Sequence, residues 1–239
     1  MITETLQNRI TLINGDCMTY MAQLADNEFD LAIVDPPYGG LRFDCKTSFH
    51  KNAFTKYPKG KKWDVRPSSD YFTELMRVSK NQLIFGANYF LDLCDFSGWS
   101  WIVWNKEQGE NCYNFGMGEL AATSIKKPLK IFTFSYLKNK NNSINYFKAQ
   151  NTKFHPCQKP IALYKWLLKH YANEGDRILD THLGSGTIAM ACSDAGYEFV
   201  GCEVDKDYFD NAVKHIDWHQ KQLKLFDNAL KPNNNLILT

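Results

Sequence analysis

No Cys-x-x-Cys pair occurs among the seven cysteines at 17, 45, 94, 112, 157, 192 and 202. That spacing excludes a zinc ribbon, and the scattered, odd count excludes a disulfide framework. Reduced, small core residues are expected instead, with no metal. His215 and His219 stand four apart on an expected helix and could grip an ion, but no third ligand is near, so a solvated helix face is expected. No apolar run approaches the length needed to cross a bilayer, and the first residues, Met-Ile-Thr-Glu-Thr, lack a charged-then-apolar export pattern. No membrane association is expected, and the cytoplasm is the expected compartment. Internal repeats are absent too, which excludes solenoids and propellers.

Net charge is also nearly absent, +2 over 239 residues, but its distribution is uneven. Residues 42–66 hold eight Lys/Arg against Asp44 and Asp64, and residues 126–153 hold seven Lys and no acid. Positive charge gathered in two expected loops of an otherwise acidic chain is the footprint of a polyanion binder. The candidate contacts are Lys46, Lys51, Lys61 and Lys62 in the first segment, and Lys126, Lys127, Lys138 and Lys140 in the second.

What is present alternates between strand and helix. Leu31–Val34 is a buried strand halted by Asp35-Pro36-Pro37, and Met18, Met21 and Leu24 share one face of a preceding helix. Residues 39–69 show no period and are expected to form a mobile basic loop. Then come a helix at 70–79, a strand at Gln82–Phe85, a short helix at Asn88–Leu93, and strands at Trp99–Trp104 and Leu129–Phe134. Pro160 is expected at the first position of a helix whose face is Ile161, Tyr164, Leu167, Leu168 and Tyr171. A strand at Arg177–Leu179, a turn at Gly184–Gly186, a helix at 187–195, a strand at Glu198–Cys202 and a helix at 206–222 follow, with a frayed tail from Lys231. This pattern predicts one α/β domain over 1–239, a mainly parallel sheet flanked by helices, with ligands at the carboxyl ends of the strands.

Residues 178–189 read Ile-Leu-Asp-Thr-His-Leu-Gly-Ser-Gly-Thr-Ile-Ala. Gly184 and Gly186 permit a tight turn before a helix N-terminus, where backbone can approach a ligand closely. Glu203, 17 residues beyond Gly186, ends the next strand, where an acid can bind ribose hydroxyls. The turn also satisfies a dinucleotide fingerprint, so a nicotinamide or flavin oxidoreductase is the alternative. Asp180 weighs against it. At a strand tip its carboxylate would repel a pyrophosphate, whereas it suits a cationic ligand such as S-adenosylmethionine, with its ammonium and sulfonium.

Asp35-Pro36-Pro37-Tyr38 can be a rigid turn, since two prolines fix φ. It can also handle an exocyclic amine, whose lone pair is conjugated into its ring. Asp35 can accept one N–H hydrogen and the stiffly held Pro36 carbonyl the other, freeing the lone pair. Tyr38 offers a face on which an extruded base can stack.

Four separated elements then resemble the amino-group DNA methyltransferases, in the group whose Asp-Pro-Pro-Tyr element precedes the glycine-rich one. They are Asn14-Gly-Asp-Cys17, Asp35-Pro-Pro-Tyr-Gly39, His155-Pro-Cys-Gln-Lys-Pro160, and Asp180 to Glu203. The resemblance implies a Rossmann-like S-adenosylmethionine-dependent fold with a seven-stranded sheet and circularly permuted motif order. It implies methylation of adenine N6 in a flipped-out base of double-stranded DNA, an initial Asp being more typical of adenine enzymes, with cytosine N4 as the alternative. RNA or protein-glutamine methylation is a third reading, disfavoured by Asp in first place. Asp16 would meet the donor's adenine, Gln158 and Lys159 its carboxylate, and Asp180, Gly184, Gly186 and Thr187 its methionine part, with Cys17, His182 and Ser185 also binding the donor. Glu203 would take the ribose, and Asp35 to Tyr38 the chemistry, with Asp35 also facing the donor. Target recognition would fall in 105–153, expected as an insertion within the domain. A homodimer and a cognate restriction endonuclease are further expectations. The sequence departs from the group at Thr181, usually Pro, at His182, usually Phe, and at Cys157, usually Thr.

Overall fold

The computed structural model describes residues 1–39, 64–107, 116–135 and 158–230, the last eight of these as backbone. Nine strands form a single sheet: β1 (Ile2–Leu6), β2 (Ile10–Asn14), β3 (Phe29–Val34), β4 (Ser79–Phe85), β5 (Ser100–Asn105), β6 (Gly118–Thr123), β7 (Lys130–Thr133), β8 (Arg177–Asp180) and β9 (Glu198–Glu203). Their order is β1-β2-β9-β8-β3-β4-β6-β5-β7. Among the described residues five helices accompany them, α1 (Cys17–Met21), α2 (Ser69–Val78), α3 (Ile161–Tyr171), α4 (Thr187–Ala195) and α5 (Lys206–Leu230).

Burial explains which strands sit where. β3 and β9 are enclosed on both sides along nearly their whole length, as central parallel strands covered by helices must be. β7 alternates half-buried with exposed, and β1 is exposed over four of its five residues, so both are edges. One apolar cluster joins Leu31, Ile33 and Phe199 to α3, α4 and α5, and the other joins Phe29, Ala32 and Val34 to α1 and α2. From Leu31 to Val34, successive residues of β3 thus feed opposite layers. Each fully buried Leu, Ile or Phe stabilises by roughly 1.5–3 kcal/mol.

Several expectations need correcting. Among the described residues the sheet has nine strands rather than seven, because β1 extends one edge antiparallel to β2 and β7 extends the other alongside β5. Residues 105–153 are not all an insertion. β6 pairs with both β4 and β5 inside the sheet, so part of that span is core. Pro160 is the N-cap of α3 with φ −71° and ψ 142°, one residue before the first helical position. The short helix at Asn88–Leu93 is a 3₁₀ turn at Ala87–Tyr89. His215 and His219 are buried, not solvated. His219 Nε2 lies 2.6 Å from Asp194 Oδ1, tying α5 to α4, while burial pushes the His215 imidazole down in pKa. Most of 39–69, and the tail from Lys231, lie outside the described residues.

Candidate active site

β3 and β8 are parallel neighbours, with Leu31 beside Ile178 and Ala32 beside Leu179. Their carboxyl ends therefore bring Asp35 and Asp180 to the same rim of the sheet. The chain leaves β8 toward β9 on one side and β3 toward β4 on the other. That reversal is a topological switch point, the place where open α/β sheets bind ligands.

Along β8 and β9 the rim is acidic and built from backbone turns. Gly184 has φ +52°, and Gly186, at the N-terminus of α4, has φ +73°. A Cβ on Gly186 would stand 2.9 Å from Ile216 Cδ1, so the turn needs glycine both for its backbone angle and for its contact with α5. Asp180 is buried and its Oδ1 accepts the His182 N–H at 2.9 Å. Burial drives its carboxyl up to about 8, outweighing that bond and the pull of Lys159. Glu203 accepts N–H bonds from Gly184 and Asp205, both at 2.9 Å, yet burial still raises it to about 7. Two buried carboxylates poorly compensated in their charged form are what a cationic ligand would restore.

Neighbouring expected residues fall into place around them. Asn14 Nδ2 and Gly15 N donate to the Glu203 carbonyl at 2.8 and 3.0 Å, which seats Asp16 next to the glycine turn. Asp16 Oδ2 caps α1 by accepting both Thr19 N–H and Thr19 Oγ1–H at 2.8 Å, so a ligand would meet its other oxygen. Burial lifts the adjoining Cys17 thiol to about 12, which makes it a neutral wall of the site. Ser185 and Thr187 share a hydroxyl–hydroxyl bond of 2.8 Å. His182 packs edge-on against Tyr71, centroids 5.3 Å apart, and its Nδ1 meets the Thr181 hydroxyl, which also bonds Tyr71 Oη. Burial lowers His182 to about 4. A neutral ring at physiological pH can therefore fill an aromatic's place.

Across the switch point, Asp35 follows β3. Its Oδ1 accepts the Tyr38 hydroxyl at 2.7 Å, and its Oδ2 is hydrogen-bonded by the buried Lys159 ammonium. Lys159 also sits 3.3 Å from Glu119 Oε2 and over the Phe85 ring at 4.6 Å. Desolvation works against its charge, but Asp35 and Glu119 overcome it and hold the ammonium well above the ordinary lysine range. The Tyr38 ring stacks on Tyr89 at 4.8 Å and meets Phe90 edge-on at 6.0 Å. Gly86, with φ +65°, lies against Tyr38 so tightly that a Cβ there would collide with the ring.

A family model described as a DNA methylase, covering N6 and N4 enzymes, matches residues 29–214, from the start of β3 into α5. The chain belongs to this DNA methylase family. Similar relatives include the type II methyltransferase M.HpaI of Haemophilus parainfluenzae, 27% identical across 92% of this chain and 78% of that protein. The DNA adenine methyltransferase YhdJ of Escherichia coli is 24% identical across 87% of this chain and 82% of its own. Among solved structures, the M1.HpyAVI–SAM complex superposes with a TM-score of 0.56 at 20% identity, over 86% of this chain and 98% of that one. The cytosine-N4-specific PvuII DNA methyltransferase gives 0.57 at 11%, over 92% of each. Those likenesses fix the fold as the Rossmann-like fold of DNA methyltransferases, and family membership retires the oxidoreductase alternative.

In this DNA methylase the structure brings Asp16, Asp35 to Tyr38, Asp180, the glycine turn and Glu203 to one rim of the sheet. The Lys159 ammonium lies on the Asp35 side of that rim, against Asp35 and Glu119. Lys126 and Lys127 lie elsewhere. β6 runs antiparallel to β4, and the segment beyond Thr123 emerges at the start of β5, opposite the rim that carries Asp35. There Lys126 bonds the Gly98 carbonyl and Lys127 the His170 carbonyl, at the end of the sheet away from Asp35. Lys46, Lys51, Lys61, Lys62, Lys138, Lys140 and Cys157 lie outside the described residues. Gly86, Tyr89, Lys106 and Glu119 were missed. Glu119 is one acid in a strand that periodicity did not reveal, and Gly86 is one glycine after a strand, so neither carried a signal.

Proposed function

We propose that this methylase transfers a methyl group from S-adenosylmethionine to N6 of an adenine extruded from double-stranded DNA. The observation that carries this reading is the pairing of two unlike carboxylates at one switch point. Asp180 is buried beside a glycine turn, and Asp35 is hydrogen-bonded beside an aromatic face. Asp180, Glu203, Asp16 and the turn at Gly184–Gly186 would hold the donor, whose positive charge would compensate the ionised forms that burial disfavours at Asp180 and Glu203. Bound there, the donor supplies an electrophilic methyl group.

The chain's own residues do the rest. Asp35 accepts one hydrogen of the target amine and the Pro36 carbonyl accepts the other, which pulls the nitrogen toward a pyramidal shape with its lone pair free. Tyr38 gives the base a stacking face, and fixed alignment lowers the entropic part of the barrier. The proton that the nitrogen sheds leaves on the Asp35 side. Adenine is favoured over cytosine by the leading Asp of the motif and by likeness to a relative named as an adenine methyltransferase.

The test is incubation with labelled S-adenosylmethionine and mixed-sequence DNA, followed by nucleoside analysis. N6-methyldeoxyadenosine is the expected product. N4-methyldeoxycytidine would move the assignment to cytosine, and the absence of any labelled nucleoside would overturn it.

A further inference from the structure

Charges alternate along one line of the site. Lys106 Nζ lies 2.6 Å from Glu119 Oε1, Glu119 Oε2 lies 3.3 Å from Lys159 Nζ, Lys159 bonds Asp35 Oδ2, and Tyr38 Oη bonds Asp35 Oδ1 at 2.7 Å. Four elements supply the members. Lys106 and Glu119 come from the cross-strand region of β5 and β6, where Trp104 faces Glu119. Lys159 precedes α3, and Asp35 follows β3.

The two oxygens of Asp35 are not equivalent. Oδ2 is held by an ammonium with only 3% of its side chain exposed, walled by Phe85 and balanced from behind by a second acid. Withdrawing that ammonium would strand two carboxylates in a poorly solvated place, which is costly. Oδ1 is held by a neutral hydroxyl on a ring that stacks on Tyr89 and meets Phe90 edge-on. Such a partner can exchange for another N–H or O–H donor at little cost. An incoming amine therefore has one oxygen open to it, and it is always the same one.

We propose that Glu119 and Lys159 are positioning residues for methyl transfer. Glu119 fixes the Lys159 ammonium, Lys159 locks Asp35 Oδ2, and Oδ1 is thereby presented to the target amine when Tyr38 gives way. The inference rests on the reading of Asp35 as the catalytic carboxylate. It reassigns Lys159 from the donor's carboxylate to the acceptor side of the reaction.

The decisive experiment separates binding from chemistry in the full chain. Glu119→Gln, Lys159→Met and Lys159→Arg are compared with the parent for S-adenosylhomocysteine affinity and for the single-turnover methylation rate at saturating donor and DNA. Positioning predicts a rate loss of roughly 10–100-fold in Lys159→Met and about tenfold in Glu119→Gln, with donor-site affinity unchanged within about twofold. Lys159→Arg should recover part of the rate. Adding Glu119→Gln to Lys159→Met should cost nothing further, because the acid acts through the lysine. Weakened S-adenosylhomocysteine binding with a normal saturated rate would return Lys159 to the donor and overturn the proposal, as would full activity in Glu119→Gln. Should Lys159→Met fail to fold, the near-isosteric Glu119→Gln decides alone. An inactive parent would instead overturn the underlying function, a distinguishable result.

Discussion

At the scale of single residues, the site depends on a carboxylate and on a missing side chain. Asp35→Ala removes the acceptor of the target amine but leaves the acids at Asp180 and Glu203 in place. Methylation should fall by about 10²–10⁴, the usual range for losing a positioned proton acceptor, while S-adenosylhomocysteine still binds. Turnover and equilibrium binding on the same preparation check this. Gly86→Ala tests the support of Tyr38. A residue at φ +65° pays strain, and its Cβ would strike the Tyr38 ring. A destabilisation of about 1–3 kcal/mol is expected in denaturant unfolding, together with reduced turnover even where the variant is fully folded. Asp35 was legible because two adjacent prolines after a buried strand are unusual. Gly86 was not, because its reason is a ring 48 positions earlier in the chain.

Elements show where sequence reading works and where it stops. Strands buried on both sides, such as β3 and β9, announce themselves as apolar runs, and α4 is announced by the glycines before it. β1, β2 and β6 were not found. β1 is polar and exposed, β2 reads Ile-Thr-Leu-Ile-Asn, its apolar run broken by Thr11, and β6 reads Gly-Glu-Leu-Ala-Ala-Thr, whose small residues favour no strand by themselves. Its place between β4 and β5 comes from long-range pairing, and its direction decides which loops share the active rim. Because β6 points away from Asp35, a Lys126→Ala/Lys127→Ala double variant should keep DNA affinity within about twofold. It should also keep the slope of affinity against salt, which loses about 0.9 for each lost phosphate contact. Titration of labelled duplex at several salt concentrations measures both. A slope shallower by about two would put these lysines on DNA and contradict the strand direction.

For the whole molecule, the two acids under the glycine turn link folding, pH and donor binding. Asp180 at about 8 and Glu203 at about 7 are both raised by burial above their ordinary values of 3.8 and 4.5. The native state thus binds protons that the unfolded chain has already released. Stability from this source is complete below about pH 4 and is lost as pH rises through 7 and 8. His182, lowered to about 4 by burial, acts in the opposite direction, removing stability as pH falls below 6.5. Between pH 6.5 and 9 only the acids titrate among these three, so the free protein's Tm should decline over that window. A ligand carrying positive charge favours the ionised acids, so its binding should release protons and tighten with pH. At a concentration 100 times its Kd such a ligand adds about 2.7 kcal/mol, or roughly 5–11 °C of Tm for a chain of this size. S-adenosylmethionine should therefore gain more between pH 6.5 and 8.5 than S-adenosylhomocysteine, which lacks the sulfonium charge. Asp180→Asn should flatten the decline of the free protein and shrink that difference. Melting curves of parent and variant with each ligand across the window provide the check, and equal pH dependence for the two ligands would place the sulfonium away from these carboxylates.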